Sequence, residues 1–198
     1  MISAGLQAGY YDGVDAVAKL KASSYYNFLM NAYSKLRTDL LYKSRVHGIS
    51  HIERVMLLGA IVAMQQRFSV RETELLLFAC SYHDIGREND WRDDRHGKRG
   101  ADMLASIPFP EISADEMKSI QTAIATHSTK DAYFEFFADE YQVPREELKL
   151  CHLLCMALKD ADNLDRVRIH DLDVKHLRFD ESKTLKPAAE SIYRLSKQ

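Results

Sequence analysis

Apolar side chains recur at three- and four-residue separations along most of the chain, a period that predicts helices rather than strands. Between Val14 and Tyr42 the separations are mixed, predicting one or two helices with Tyr25, Phe28, Leu29, Ala32 and Leu36 as the packing stripe. Ser50 and Glu53 have the spacing of a capping box, in which the serine oxygen and the glutamate each satisfy a backbone N–H at the helix start. The apolar run after them predicts a helix through about Gln66. Ser69 with Glu72 repeats the signal and opens a helix from Val70 to about Tyr82, and Ser113 with Glu116 opens another towards His127. Between these two, the polar segment Gly86 to Gly97 breaks the period. A short helix is then expected from near Lys98, ending before Pro108 and Pro110. Pro144 suits a first turn, and a longer helix is expected from Glu146 to about Arg166, with a last one around Ala188 to Leu195. Extended runs of valine and isoleucine are absent. The predicted fold class is all-α.

At 198 residues and 46% hydrophobic content, the chain supports one sizeable core and is short for two. A formal charge of -2 gives no dominant basic surface, so nucleic acid is not an expected partner. Cys80, Cys151 and Cys155 form no CxxC unit and read as free thiols of a reducing compartment. No basic-then-apolar leader opens the sequence and no window is long enough for a membrane span, which predicts a soluble cytoplasmic protein.

The chemistry concentrates in a few polar residues at the ends of apolar helices. SYHDIGRE places His83 and Asp84 just past Leu76, Ala79 and Cys80, which hold that helix in the core. His51 begins a helix whose Val55, Leu58 and Val62 form an apolar face, and Asp162 follows Leu154 and Leu158 at four-residue steps. Imidazole nitrogens and carboxylate oxygens suit a divalent transition metal, and burying these four groups without a partner would be costly. Metal binding is therefore expected at His51, His83, Asp84 and Asp162. His96 and His127 stand at the ends of two further helices, and with Asp84 as a bridge they complete a second metal position or else merely cap local structure.

His51-Ile-Glu-Arg-Val, His83-Asp84 and Lys159-Asp160-Ala161-Asp162-Asn-Leu-Asp resemble, in that order, the H…HD…D signature of the HD-superfamily metal phosphohydrolases. The resemblance implies a helical bundle with His51, His83, Asp84 and Asp162 as primary metal ligands, Asp84 also serving catalysis. It is similar at His96 and His127 to members with a two-metal centre. HGISH resembles the HNxxH element of cyclic-nucleotide phosphodiesterases, which makes His47 either a general acid or a histidine outside the ligand set; Gly48 departs from that pattern. The likeness covers about residues 45–166. It divides the chain into an N-terminal helical extension packed on the core (1–44), an HD metal-binding catalytic core (45–170) and a polar C-terminal segment of the same domain (171–198).

The implied activity is hydrolysis of a phosphoester, a nucleotide or a small phosphorylated metabolite, by metal-activated water. One or two divalent ions are expected, from Mn, Fe, Co, Ni, Zn or Mg. Lys98, Arg99, Lys159, Arg166 and Arg54 are the candidate phosphate-binding cations, each with a surface salt bridge as its alternative. Trp91 is read as a packing or loop-anchoring residue in preference to a base-stacking one. Two other functions stay open: an HD-fold di-iron oxygenase, whose four-histidine, two-aspartate set these residues also resemble, and a noncatalytic metal-containing regulatory module.

Overall fold

The structure is a computed structural model that describes residues 1–198. It contains eleven α-helices and no strand: α1 (Ile2–Gln7), α2 (Asp15–Lys21), α3 (Tyr25–Lys35), α4 (Ile49–Gln65), α5 (Val70–Tyr82), α6 (His96–Leu104), α7 (Ala114–His127), α8 (Phe134–Glu140), α9 (Leu148–Leu164), α10 (Asp180–Lys183) and α11 (Lys186–Leu195). A single apolar cluster of 44 buried residues runs from Ile2 to Ile192, so the terminal helices share the core of the central ones.

Helix α4 is the axis of the bundle. Of its 17 residues 13 are buried, including every position from His51 to Ala63, so the one-faced stripe expected there is too narrow. The reason is coverage from both sides: α5 and α9 pack on α4, and α1, α2 and α3 close over it from elsewhere. A helix that is apolar all round belongs inside a core. Helix α7 lies against α6, α9 and α5, completing the bundle.

Two of the three expected capping boxes form. Ser69 accepts from the Glu72 N–H, Ser113 accepts from the Glu116 N–H, and both glutamates reach back to the capping residue. The third does not. Helix α4 starts at Ile49 with Gly48 at its cap and no side-chain cap bond. Glu53 instead accepts the Ile2 N–H at 2.9 Å, and the Tyr33 hydroxyl donates to its backbone carbonyl at 2.6 Å. The side chain that the spacing assigned to its own helix thus holds the start of α1, a helix that the apolar period does not announce.

Two glycines set how closely α6 can approach. A Cβ on Gly86 would stand 2.3 Å from the His96 carbonyl oxygen, and one on Gly97 would stand 2.5 Å from the Ile124 carbonyl oxygen. Only the absence of a side chain lets α6 meet the His83–Gly86 turn on one side and α7 on the other. All three cysteines are buried free thiols. No helix is long and apolar enough to cross a membrane.

Candidate metal centre

Five helix ends converge on one point. His51 lies in the first turn of α4, His83 caps the C-terminus of α5 with Asp84 next to it, His96 begins α6, His127 ends α7, and Asp162 sits in the last turn of α9. All but Asp162 have buried side chains; its carboxylate is 24% exposed and marks the open side of the cluster. The six side chains expected to bind metal are thus brought together, although they span 111 residues of sequence from His51 to Asp162.

The donor atoms form two groups that share Asp84. In the first, His51 Nε2 is 3.2 Å from His83 Nε2, 3.5 Å from Asp84 Oδ2 and 3.4 Å from Asp162 Oδ1, and His83 Nε2 is 3.7 Å from Asp162 Oδ1. In the second, Asp84 Oδ1 is 3.0 Å from His96 Nε2 and 3.6 Å from His127 Nε2, and the two nitrogens are 2.9 Å apart. Donors held about 2.0–2.2 Å from one cation stand roughly 3–3.6 Å from each other.

The tautomers make the case chemically. His83 Nδ1 donates to the Cys80 carbonyl at 2.9 Å, His127 Nδ1 to the Ile124 carbonyl at 2.6 Å, His96 Nδ1 to the Asp93 carbonyl, and His51 Nδ1 to Asp165 Oδ2 at 2.8 Å. These partners only accept, so each Nδ1 carries the proton and each neutral ring turns a lone pair inwards through Nε2. Four lone pairs and two carboxylates facing one another repel unless a cation lies among them. Asp84 Oδ1, moreover, is buried with no hydrogen-bond donor. The donor set fits a divalent metal.

Electrostatics keep His83, His127, Asp84 and Asp162 in their binding forms, with His51 the exception. Burial pushes His83 down to about 3, and burial also lowers His127. Burial works against ionised Asp84 and Asp162, but the surrounding imidazoles, His83 foremost, hold both carboxyls below their ordinary value. His51 is raised, because the hydrogen bonds to Asp165 and Asp84 outweigh burial and Arg168. Its extra proton would sit on Nε2, where it competes directly with a metal.

Three polar groups border the cluster. His47 Nδ1 is 3.1 Å from Asp84 Oδ2 and also 3.1 Å from Arg168 Nη2. One nitrogen cannot serve both: as N–H it donates to Asp84, and as a lone pair it accepts from Arg168. Arg87 Nε stands 2.9 Å from Asp84 Oδ2 without an aligned hydrogen bond. The Arg168 side chain is largely covered and donates to the carbonyls of Val46 and Asp165.

The five basic residues singled out in the sequence are engaged elsewhere. Arg54 grips Asp165 at 2.6 and 3.0 Å, Lys98 pairs with Asp102 and Glu140, Arg99 with Asp93, Lys159 with Asp131, and Arg166 with Asp171. None is paired with a donor side chain of the cluster. Trp91 corrects the packing expectation outright, being 82% exposed on the loop after Gly86. Arg87, Asp165 and Arg168 were missed, although a signal existed. Asp165 lies three residues after Asp162 and Arg168 three after Asp165, the spacing that returns a side chain to the same helical face, while Arg87, three after Asp84, lies just past the turn that follows α5.

A bundle with an H…HD…D donor set at its helix ends defines a metal-binding helical domain. The family model described as the HD domain matches residues 48–167, and the chain belongs to that family. Comparison with curated proteins and with solved structures returned no significant match.

Proposed function

We propose that the protein hydrolyses a phosphoester, a nucleotide or a small phosphorylated metabolite, with His51, His83, Asp84 and Asp162 holding one divalent ion and Asp84, His96 and His127 a second. The observation that carries this reading is the inward-facing donor set with the undonated Asp84 Oδ1, bordered by two guanidinium groups and an imidazole. Bound metal would supply Lewis acidity, which lowers the pKa of water and neutralises phosphate charge. Arg87 stands against Asp84 and Arg168 against His47, and their fixed positive charge suits the nonbridging oxygens of a phosphoryl group. His47 would hand a proton to a leaving oxygen: hydrogen-bonded to Asp84 through Nδ1, it can carry that proton on Nε2, its other ring nitrogen.

The test is phosphate or alcohol release from a panel of nucleotides and phosphorylated metabolites by metal-replete protein. Release that disappears with chelator and returns with Mn²⁺ supports the proposal. Oxygen consumption coupled to product formation and lost under anaerobic conditions would replace it with the oxygenase reading. Saturable ligand binding without turnover across the panel would favour the regulatory module.

A further inference from the structure

The two donor groups rest on different foundations. In the first, both histidines are oriented by helical scaffold: His83 is fixed by the Cys80 carbonyl of its own helix, and His51 by Asp165, which Arg54 grips in turn. In the second, His127 is fixed within α7 by Ile124. His96 is different. Its Nδ1 depends on the backbone carbonyl of Asp93, which belongs to the loop between Gly86 and α6. That loop carries the exposed Glu88, Asp90, Trp91 and Arg92 and has little apolar anchorage.

Arg99, one turn into α6, ties both ends of this loop. Its Nε donates to the Gly86 carbonyl at 2.9 Å, at the start, and its Nη2 bonds the carboxylate of Asp93, at the finish. The same carboxylate accepts the Arg95 N–H at 3.0 Å, which shapes the turn into α6. A guanidinium can span two such acceptors because its donors are fixed in a planar fork; an ammonium on a flexible stem cannot hold both in one geometry.

We infer that Arg99 is a positioning residue for the second metal position, aiming His96 through the Asp93 carbonyl, and that loss of Arg99 releases the ion there while leaving the first in place. This rests on the two-position reading proposed above. Asp84 serves both positions and His127 is fixed within its helix, so the selective loss falls on the donor that the loop supplies.

Full-length protein stripped by chelator and titrated with Mn²⁺ alone gives the test, followed by calorimetry and by the electron paramagnetic resonance of bound manganese. Wild type should take two equivalents and, when filled, show the spin-coupled signal of an ion pair. In Arg99→Ala the first equivalent should bind within about twofold of wild type. The second should weaken by about 10-fold or more, the usual effect of removing a group that orients a ligand, with the coupled signal giving way to that of isolated ions. His96→Ala should behave alike, and Arg99→Lys should fall between. Asp93→Ala keeps the backbone carbonyl that orients His96 but removes the carboxylate that Arg99 holds, so it should show the same selective loss and decides the matter if Arg99→Ala does not fold. Equal weakening of both equivalents, or an unchanged second one, overturns the inference alone. A single equivalent in wild type overturns the two-position reading with it.

Discussion

The Nδ1 of His51 donates to Oδ2 of Asp165 at 2.8 Å, while Arg54 holds the same carboxylate through two nitrogens at 2.6 and 3.0 Å. One buried aspartate therefore fixes which nitrogen of His51 faces the donor cluster and neutralises a buried guanidinium. Asp165→Ala should fail on both counts. Leaving Arg54 unpaired in the interior costs about 3–5 kcal/mol, measured by denaturant unfolding of metal-free protein. Loss of the orienting bond should lower metal affinity about 10- to 100-fold. Asp165→Asn, which still offers His51 an acceptor, should lose less metal affinity than stability.

Removing a donor and removing the proton carrier should separate in the data. His51→Ala and Asp162→Ala should lower bound metal, read by elemental analysis, and turnover together. His47→Ala should keep most of its metal and lose about 10²- to 10⁴-fold in kcat, the range for a missing general acid. Metal loss in His47→Ala as deep as in His51→Ala would remove the distinction between the two histidines.

Metal should also stabilise the fold, since it binds the assembled donors and relieves their mutual repulsion. At a free ion concentration about 100 times Kd, the gain is about 2.7 kcal/mol per site. A thermal melt of chelator-treated protein should therefore begin lower and rise with added Mn²⁺. An unchanged melting temperature at saturating metal would count against the donor set.

Far from the cluster, Arg71 and Glu116 join the starts of α5 and α7 through two hydrogen bonds of 2.6 and 2.7 Å. The Arg71 guanidinium, helped by the Ser113 N–H, holds Glu116 down to about 2. A depressed carboxyl binds fewer protons folded than unfolded, so its stabilisation is present above about pH 4.5 and drains away as pH falls towards 2. Arg71 is partly exposed, and with solvent screening the contribution is about 1 kcal/mol. Glu116→Gln should flatten the stability profile between pH 4.5 and 2 relative to wild type.

The exposed Trp91 gives a simple check on the loop. Trp91→Ala should change unfolding free energy by less than about 0.5 kcal/mol, as for a surface side chain without packing. A loss of several kcal/mol would restore the packing role.

The helices and donors were legible because local signals govern them. Ser69–Glu72 and Ser113–Glu116 cap the helices that they announce, and His51, His83, Asp84, His96, His127 and Asp162 stand at helix ends where apolar stripes stop. What the sequence hid is long-range. Glu53 carries a capping-box spacing, but its partner is the backbone of Ile2, 51 residues away. Arg54 reads as a possible phosphate ligand until Asp165, 111 residues on, is folded against it. Charged side chains choose among partners by proximity in space, which residue spacing encodes only within one helix.

Helix α4 has no solvent face, and that ties the chemistry to residues that never approach it. The helix carrying His51 is covered by the first 35 residues as well as by α5, α9 and the C-terminal segment, with Glu53 as the N-terminal clasp. A chain trimmed to begin at Arg45 would present water with a bare apolar flank in place of that cover, and His51 would be mounted on a helix free to shift. The opening helices are best regarded as part of the instrument that aims the donors: their truncation should register first as weakened metal retention, before any residue of the cluster has been touched.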